Sequence, residues 1–240
     1  MPATLPSFKP ETATDRLILP LDVATVEEAR AIVQETKGVV GVYKVGMQLQ
    51  FAGGLPFAEE LAREGHRVFL DVKLLDIDNT VQKAVENIIR MGMHFVTIHA
   101  YPKTMRAAVA GRGEAPVCLL GVTVLTSMDT EDMKAAGYNG DVEELVKTRT
   151  IAARAAGMGG IVCSPLEVGQ LRELAGPDMV LVTPGIRPAG SDAGDQKRIM
   201  TPGEAIAAGS DYLVIGRPIT QAADRRAAAQ AVVAEIEAAL

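Results

Sequence analysis

The chain alternates short apolar runs rich in Val, Ile and Leu with longer segments of helical periodicity, and it does so eight times. Such repetition predicts a parallel sheet whose outer face is covered by helices. The predicted strands are 17–21, 42–45, 68–72, 95–99, 117–124, 160–163, 179–183 and 212–215. Eight units without a break for a second domain predict an α/β fold, the (β/α)8 TIM barrel, and a doubly wound open sheet is the alternative.

The segments between these strands carry recognisable helix starts. Thr25 and Asn79 stand at positions suited to an N-cap, and Pro165 and Pro202 stand where proline fits the first helical turn. The predicted helices are 25–36, 55–64, 79–91, 102–110, 142–156, 165–175, 202–208 and 224–240. Each helix therefore follows one predicted strand, as a barrel requires.

Length and composition fit one compact domain. With 240 residues, of which 48% are hydrophobic and 22% charged, the chain can bury a large core. We expect the barrel domain to occupy 16–240. Residues 1–15 contain Pro2, Pro6 and Pro10 and no apolar stretch, so we expect a short, loosely ordered arm there.

The net charge and the two cysteines indicate which binding partners and which cellular compartment the protein can have. The net charge of −6 and the lack of a basic run argue against nucleic acid as a partner. Because the start of the chain has no apolar stretch, we expect neither a signal peptide nor a membrane segment. Cys118 and Cys163 lie in apolar runs, and we interpret them as buried thiols of a cytoplasmic protein.

Polar groups stand at nearly every predicted strand end, where barrels of this kind hold their active sites. Asp71 and Lys73 close the third strand and point to the same side, because side chains alternate along a strand. Asp76 follows in the next loop, so three charged groups gather in one region. The other strand ends carry Asp22, Lys44, His99, Thr126, Ser127, Thr183, Pro184, Gly216 and Arg217.

The last two strand ends predict a phosphate site. The loop over 183–198 is long and glycine-rich, which is typical of a segment that closes over a ligand. Loops in these two positions bind phosphate in many barrels, and Gly216 lets the backbone approach an anion closely. Arg217 can supply a bidentate guanidinium and Gln196 a neutral donor. The alternative is that Arg217 is one more surface arginine and the loop is merely flexible.

Taken in order, these motifs resemble the orotidine 5′-phosphate decarboxylase family in its bacterial form, from about Arg16 to the last predicted helix. The residues that carry the resemblance are Asp22, 44–46, 71–80, 183–187, 194–196 and 215–218. It implies a homodimeric barrel that converts orotidine 5′-phosphate to uridine 5′-phosphate and CO2, the last step of pyrimidine nucleotide synthesis, without metal or organic cofactor. Asp78 departs from the pattern, because many bacterial members have proline there, and this puts the rigidity of the loop in doubt.

The resemblance also implies roles for individual residues. Lys73 matches the proton donor to the ring carbon that loses the carboxylate, and Asp71 matches the group facing that carboxylate. Asp76, Ile77 and Thr80 match residues that reach across the dimer interface. Lys44 matches a residue that orients the charged groups and, with Asp22 and Thr80, holds the ribose. Thr126 and Ser127 match contacts with the pyrimidine, and Pro184 matches a residue of the base pocket. Arg187 matches the closing segment, and the phosphate is matched by Gln196, Gly216 and Arg217.

Two other classes of function stay open at the level of sequence. A metal-dependent sugar-phosphate decarboxylase or epimerase would share the last two loops and some strand-end acids. A nucleotide-binding barrel without activity is the third class, and the intact charged residues count against it. We interpret His99 as a residue that holds loops or orders Asp71 through hydrogen bonds, and the three histidines show no pattern suited to a metal site.

Overall fold

The computed structural model describes residues 6–188 and 200–240, and its sheet is a closed barrel. All neighbouring strands pair in parallel, in the order β1-β2-β3-β4-β5-β6-β7-β8. The barrel closes where Leu17 and Ile18 of the first strand pair with Leu213 and Val214 of the last. The predicted (β/α)8 barrel is therefore confirmed, and the open sheet is excluded. The strands are β1 Leu17–Pro20, β2 Val42–Val45, β3 Arg67–Leu74, β4 Phe95–His99, β5 Cys118–Val122, β6 Gly160–Val162, β7 Val180–Thr183 and β8 Tyr212–Val214.

Helices on the outside connect the strands, and several short ones extend the predicted set. The helices are α1 Val26–Thr36, α2 Met47–Leu49, α3 Leu55–Arg63, α4 Asp78–Arg90, α5 Pro102–Arg112, α6 Thr130–Ala135, α7 Val142–Ala156, α8 Val168–Ala175, α9 Pro202–Ala207, α10 Arg217–Thr220 and α11 Arg225–Glu237. Single 3-10 turns lie at Thr14–Arg16 and Pro165–Glu167, and a π-helical turn, Gln50–Gly54, joins α2 to α3. The sequence did not predict α2, α6 or α10, because a helix of three to six residues is too short to show a repeat of 3.6.

Two apolar layers hold the barrel together. The larger layer lies between the sheet and the helices, and the smaller fills the barrel interior. In the interior, the rings of Phe69 and Phe95 lie 6.0 Å apart, and those of Phe95 and Tyr212 lie 5.2 Å apart at a steep angle. Such edge-to-face packing suits the aromatic quadrupole and makes the interior a packed core rather than a pore.

The N-terminal arm differs from the expectation of a loosely ordered segment. Over its described part, residues 6–15, it packs against the end of the barrel where the strands begin. The Tyr212 hydroxyl donates to the Phe8 carbonyl at 2.7 Å, and the Lys9 ammonium donates to both oxygens of Asp211 at 2.9 Å. Asp211 also accepts hydrogen bonds from Arg172 and from the Leu181 amide. The contacts of Phe8 and Lys9 join positions about 200 residues apart in the chain, so no local pattern could reveal them.

The network around Asp211 gives a stability prediction. Replacing Asp211 with asparagine leaves Lys9 and Arg172 without their shared counter-charge at a buried position, and we expect the free energy of unfolding to fall by about 3 kcal/mol. Unfolding in denaturant measures this loss of free energy. Glu143→Gln is the control, because the Glu143–Lys147 pair is exposed on α7 and should contribute less than about 1 kcal/mol. Equal losses in the two variants would contradict the prediction.

Candidate active site

The C-terminal ends of the strands surround a cavity of about 820 Å³. Its floor is apolar and includes Phe69 and Val182 from inside the barrel. Most of the residues predicted from the strand ends line this cavity, namely Asp22, Lys44, Asp71, Lys73, Thr126, Ser127, Pro184, Arg187, Gly216 and Arg217. The structure therefore brings together groups from both halves of the chain, as the barrel topology requires.

Four charged groups form an alternating array on one wall of the cavity. The Lys44 ammonium lies 3.2 Å from an Asp22 oxygen and 3.3 Å from an Asp71 oxygen. The Lys73 ammonium lies 2.8 Å from the other Asp71 oxygen. The order along the wall is therefore Asp22, Lys44, Asp71, Lys73, with each charge next to its opposite.

Asp71 lies at the centre of this array, and its side chain is only 14% exposed. Burial alone would raise the pKa of its carboxyl group. The neighbouring ammonium groups of Lys44 and Lys73, together with hydrogen bonds from Lys73 and Thr97, outweigh burial and hold the pKa below its ordinary value. Asp71 is therefore an anion at neutral pH and fixes both lysines.

Lys73 adopts an unusual backbone conformation at the end of β3. Its φ is 48°, the one positive value among the described residues other than glycine. The pairing of β3 with β4 shifts register between Leu70 and Leu74, so the strand is irregular at this position. A lysine in the left-handed region costs on the order of 1–3 kcal/mol. Asp71 and Lys73 do face the same cavity as predicted, but through a distorted strand rather than through simple alternation.

Thr97 and Gln50 support the array, and the sequence analysis missed both. The buried Thr97 hydroxyl accepts the Lys73 amide at 3.0 Å and donates to Asp71 at 2.9 Å. The Gln50 side chain donates to the carbonyl of Asp71 at 3.2 Å. A polar residue within the apolar run 95–98 was the available signal for Thr97. Gln50 lies in a π-helical turn that has no sequence signature.

Gly46 is required by a close approach. A Cβ atom there would lie 2.6 Å from an Asp22 oxygen and 2.9 Å from the Lys44 ammonium, so any other residue would displace the pair. His99, in contrast, forms no hydrogen bond with Asp71 within the described chain. Its ring meets Tyr101 edge-on, and burial, followed by the charges of Arg149 and Lys73, lowers its pKa. The expected ordering of Asp71 is supplied by Thr97 instead.

The residues predicted to cross a dimer interface lie outside the cavity. Asp76, Ile77 and Thr80 are exposed, and an Asp76 oxygen accepts the amide of Ile77 at 2.6 Å. Asp78, the departure from the family pattern, begins α4 and pairs with Lys103 at 3.3 Å. Gln196 lies outside the described residues.

Residues 15–232 match the model of the orotidine 5′-phosphate decarboxylase / HUMPS family. The chain belongs to this family. The orotidine 5′-phosphate decarboxylase of Rhodopseudomonas palustris (strain BisB5) is 56% identical over 222 residues, which are 92% of this chain and 94% of that protein.

Two solved structures of similar shape agree with this membership. One is orotidine 5′-phosphate decarboxylase from Lactobacillus acidophilus, with a TM-score of 0.81 and 34% identity, covering 92% of this chain and 98% of that one. The other is an uncharacterized conserved protein from Geobacillus kaustophilus, with a TM-score of 0.77 and 31% identity, covering 92% and 99%. The family resemblance noted in the sequence is thus confirmed, and the matched span contains the positions of the charged array.

The double hydrogen bond of Thr97 gives the next prediction. Thr97→Val should lower the free energy of unfolding at neutral pH by about 1–3 kcal/mol, because the Lys73 amide and an Asp71 oxygen lose a buried partner. The catalytic turnover of the protein should fall by about tenfold or more, because Lys73 would be misplaced without its bond to Thr97. Thr97→Ser keeps the hydroxyl and is the matched control, expected to stay within about threefold of wild type.

The same pair of variants tests the charge on Asp71. Because its folded pKa lies below the unfolded value, ionised Asp71 stabilises the protein above the unfolded pKa, and this stabilisation is lost as the pH falls through the folded pKa. The stability gap between the valine and serine variants should therefore shrink in acid. A gap that does not depend on pH, together with equal turnover of the two variants, would contradict the role given to Thr97.

Proposed function

We propose that this chain decarboxylates orotidine 5′-phosphate to uridine 5′-phosphate and CO2, the final step of pyrimidine nucleotide synthesis, and that it does so without a cofactor. The observation that carries the proposal is the Lys73 ammonium, held by Asp71 at the wall of the cavity. A relative with 56% identity carries the name of this decarboxylase.

The reaction needs a positive charge at one point. When the carboxylate leaves the pyrimidine as CO2, the electron pair of the broken bond stays in the plane of the ring, where no carbonyl group can delocalise it. An ammonium group beside that carbon stabilises the negative charge and then transfers a proton to it. Lys73 can do both, and it regains its proton from solvent after the product leaves.

Repulsion between Asp71 and the substrate carboxylate is a smaller contribution. Two unit charges about 4 Å apart repel each other by about 4 kcal/mol at an effective dielectric constant near 20. Enzymes lower barriers by roughly 8–23 kcal/mol, and a carbanion of this kind belongs toward the upper end. We therefore assign most of the effect to the fixed ammonium group, to the exclusion of water and to the binding energy of the phosphate.

The rest of the cavity can hold the other parts of the nucleotide. We assign Asp22 and Lys44 to the ribose hydroxyls, Thr126 and Ser127 to the pyrimidine and Pro184 to the base pocket. Arg217 and Gly216 would bind the phosphate together with Gln196, and Arg187 would support the segment that closes over it. All of these except Gln196 line the same cavity.

We further propose a homodimer in which Asp76, Ile77 and Thr80 enter the site of the other subunit. Exposed apolar side chains support it, because Phe51 is 91% and Ile77 72% exposed. Met47, Leu55 and Leu75 are also exposed, and all five lie on the connections that follow the neighbouring strands β2 and β3, from α2 to the start of α3 and in the segment before α4. Apolar side chains gathered in this way are typical of a surface that another protein covers.

The proposed location is the cytoplasm. Cys118 and Cys163 are buried and free, as expected in a reducing compartment, and burial raises the pKa of both thiols. Within residues 6–188 and 200–240, no helix combines the length and apolar character needed to cross a bilayer.

A metal-dependent sugar-phosphate decarboxylase or epimerase is the alternative function. Among the described residues, no three His, Cys, Asp or Glu side chains are arranged to hold a metal ion. A chelator should abolish the activity of a metal-dependent enzyme and leave a cofactor-free decarboxylase active, so an assay with chelator distinguishes the two functions.

The central prediction concerns Lys73. The wild-type protein should consume orotidine 5′-phosphate in the presence of excess chelator, followed by ultraviolet absorbance. Lys73→Met should lower turnover by at least roughly a thousandfold, because it removes both the stabilising charge and the proton donor. Lys37→Met is the control at an exposed position outside the cavity. Activity that is lost with chelator and restored by magnesium would support the alternative instead.

The dimer has a test of its own. Lys73→Ala and Asp76→Ala homodimers should each be nearly inactive. A purified mixed dimer should have one working site, because the chain with intact Lys73 receives Asp76 from the other chain. We expect about half the wild-type turnover per dimer, since sites act independently in this design. A mixed dimer as inactive as its parents would assign Asp76 to its own chain's site.

A further inference from the structure

Arg149 lies between two tyrosines beside the cavity, and no step of the proposed reaction uses it. Its guanidinium group lies over the Tyr101 ring at 4.8 Å from the centroid and over the Tyr138 ring at 5.4 Å. It donates to the Tyr138 hydroxyl at 3.1 Å and to the carbonyl of Thr123. The two tyrosine hydroxyls also bond to each other. We call Arg149, Tyr101 and Tyr138 the arginine cluster.

The arginine cluster ties together both ends of one loop. Thr123 is the first residue after β5, and Tyr138 follows α6 at the far end of the same connection. Arg149 itself lies on α7, and Tyr101 is the residue before α5. One guanidinium group therefore links the two ends of the segment 123–138 to the helices on either side.

The loop held in this way forms part of the cavity wall. Residues 124–127 all line the cavity, and they include Thr126 and Ser127, which we assigned to the pyrimidine. Val124 is buried in the core, whereas Ser127 is exposed and Thr126 only partly buried. Thr123 at the first end is also bonded to the Val162 carbonyl, and the guanidinium group of Arg149 joins this fixed end to Tyr138 at the other end.

We infer that the arginine cluster positions the loop 123–138 over the base, so that Arg149, Tyr101 and Tyr138 are positioning residues for recognition of the pyrimidine. This inference rests on the proposed function, because it takes a pyrimidine nucleotide as the ligand. It concerns only the base end of the ligand. We assigned the phosphate end to the loops after β7 and β8, and the contacts of the arginine cluster within residues 6–188 and 200–240 do not include those loops.

The chemistry of arginine suits this task better than that of lysine. A guanidinium group is planar, so it can stack on aromatic rings while its edge donates hydrogen bonds in two directions. Lysine offers a point charge on a flexible stem and cannot do both. Within the described chain, the partners of Arg149 are neutral oxygens and aromatic rings rather than a carboxylate. Arg149 therefore connects these groups through hydrogen bonds and stacking and is not half of an ion pair.

The experiment compares ligands that do and do not carry a base. Calorimetry would measure binding of uridine 5′-monophosphate and of ribose 5-phosphate to wild type, Arg149→Met and Arg149→Lys, alongside kcat and KM for orotidine 5′-phosphate. For Arg149→Met we expect binding of the nucleotide and kcat/KM to fall by about tenfold to a hundredfold, because the loop that contacts the base is misplaced. Affinity for ribose 5-phosphate should stay within about twofold, because that ligand makes no contact with the loop.

Two comparisons separate positioning from other roles. Arg149→Lys keeps the charge and should behave like Arg149→Met, so full recovery by lysine would contradict the inference. Arg154→Met removes another arginine of α7, which bonds to the Leu174 carbonyl, and should leave both affinities unchanged. Equal weakening of both ligands by Arg149→Met would show a general effect on the fold and overturn the inference.

A double-mutant cycle adds an internal check. If Arg149 acts through Thr126, then Arg149→Met combined with Thr126→Ala should lose less nucleotide affinity than the two separate losses together. Additive losses would contradict action through Thr126. If the wild-type protein binds nucleotide but does not convert orotidine 5′-phosphate, the proposed function fails. If it converts the substrate and Arg149→Met does so equally well, only the present inference fails.

Discussion

The Asp71 carboxylate, placed between two ammonium groups, is the interaction on which the site depends. Each of its oxygens faces a different lysine, at 3.3 Å for Lys44 and 2.8 Å for Lys73. Without this anion two positive charges would share one wall of a half-enclosed cavity and would repel each other. Because Asp71 holds the Lys73 ammonium through a contact within the chain itself, its position on that side does not rely on the substrate, as electrostatic preorganisation requires.

The backbone around this array is strained, and the rest of the barrel offsets the strain. Lys73 holds a positive φ, and β3 slips in register beside it. A local cost of this size persists only where the surrounding structure determines the conformation. Here Thr97 determines it from β4, by accepting the Lys73 amide, while the packed aromatic interior holds β3 and β4 together below. At the opposite end of the barrel, Asp211 binds the N-terminal arm to the start of β7.

The sequence predicted the barrel well because its signal is local and repeated. Each of the eight strands begins and ends within two residues of its predicted bounds. The strand ends also predicted most of the residues that line the cavity, since the topology alone brings Asp22 and Arg217 to the same rim. Thr97, Gln50 and the docked arm were missed for one shared reason. Their roles depend on which distant segment lies next to them, and no spacing in the chain encodes that.

The number of N–H donors on the Lys73 ammonium group explains why a second subunit suits the proposed chemistry. An ammonium group has three N–H donors, and one of them is used by Asp71. In the proposed dimer, Asp76 from the other subunit would accept the second, and the third would be left to face the ring carbon. In a single chain, Asp76 is exposed and accepts the amide of Ile77. Without Asp76 from a second subunit, only Asp71 would orient the N–H groups of Lys73. Dimerisation would then do more than cover apolar side chains, because it would remove the remaining freedom of the group that must deliver the proton.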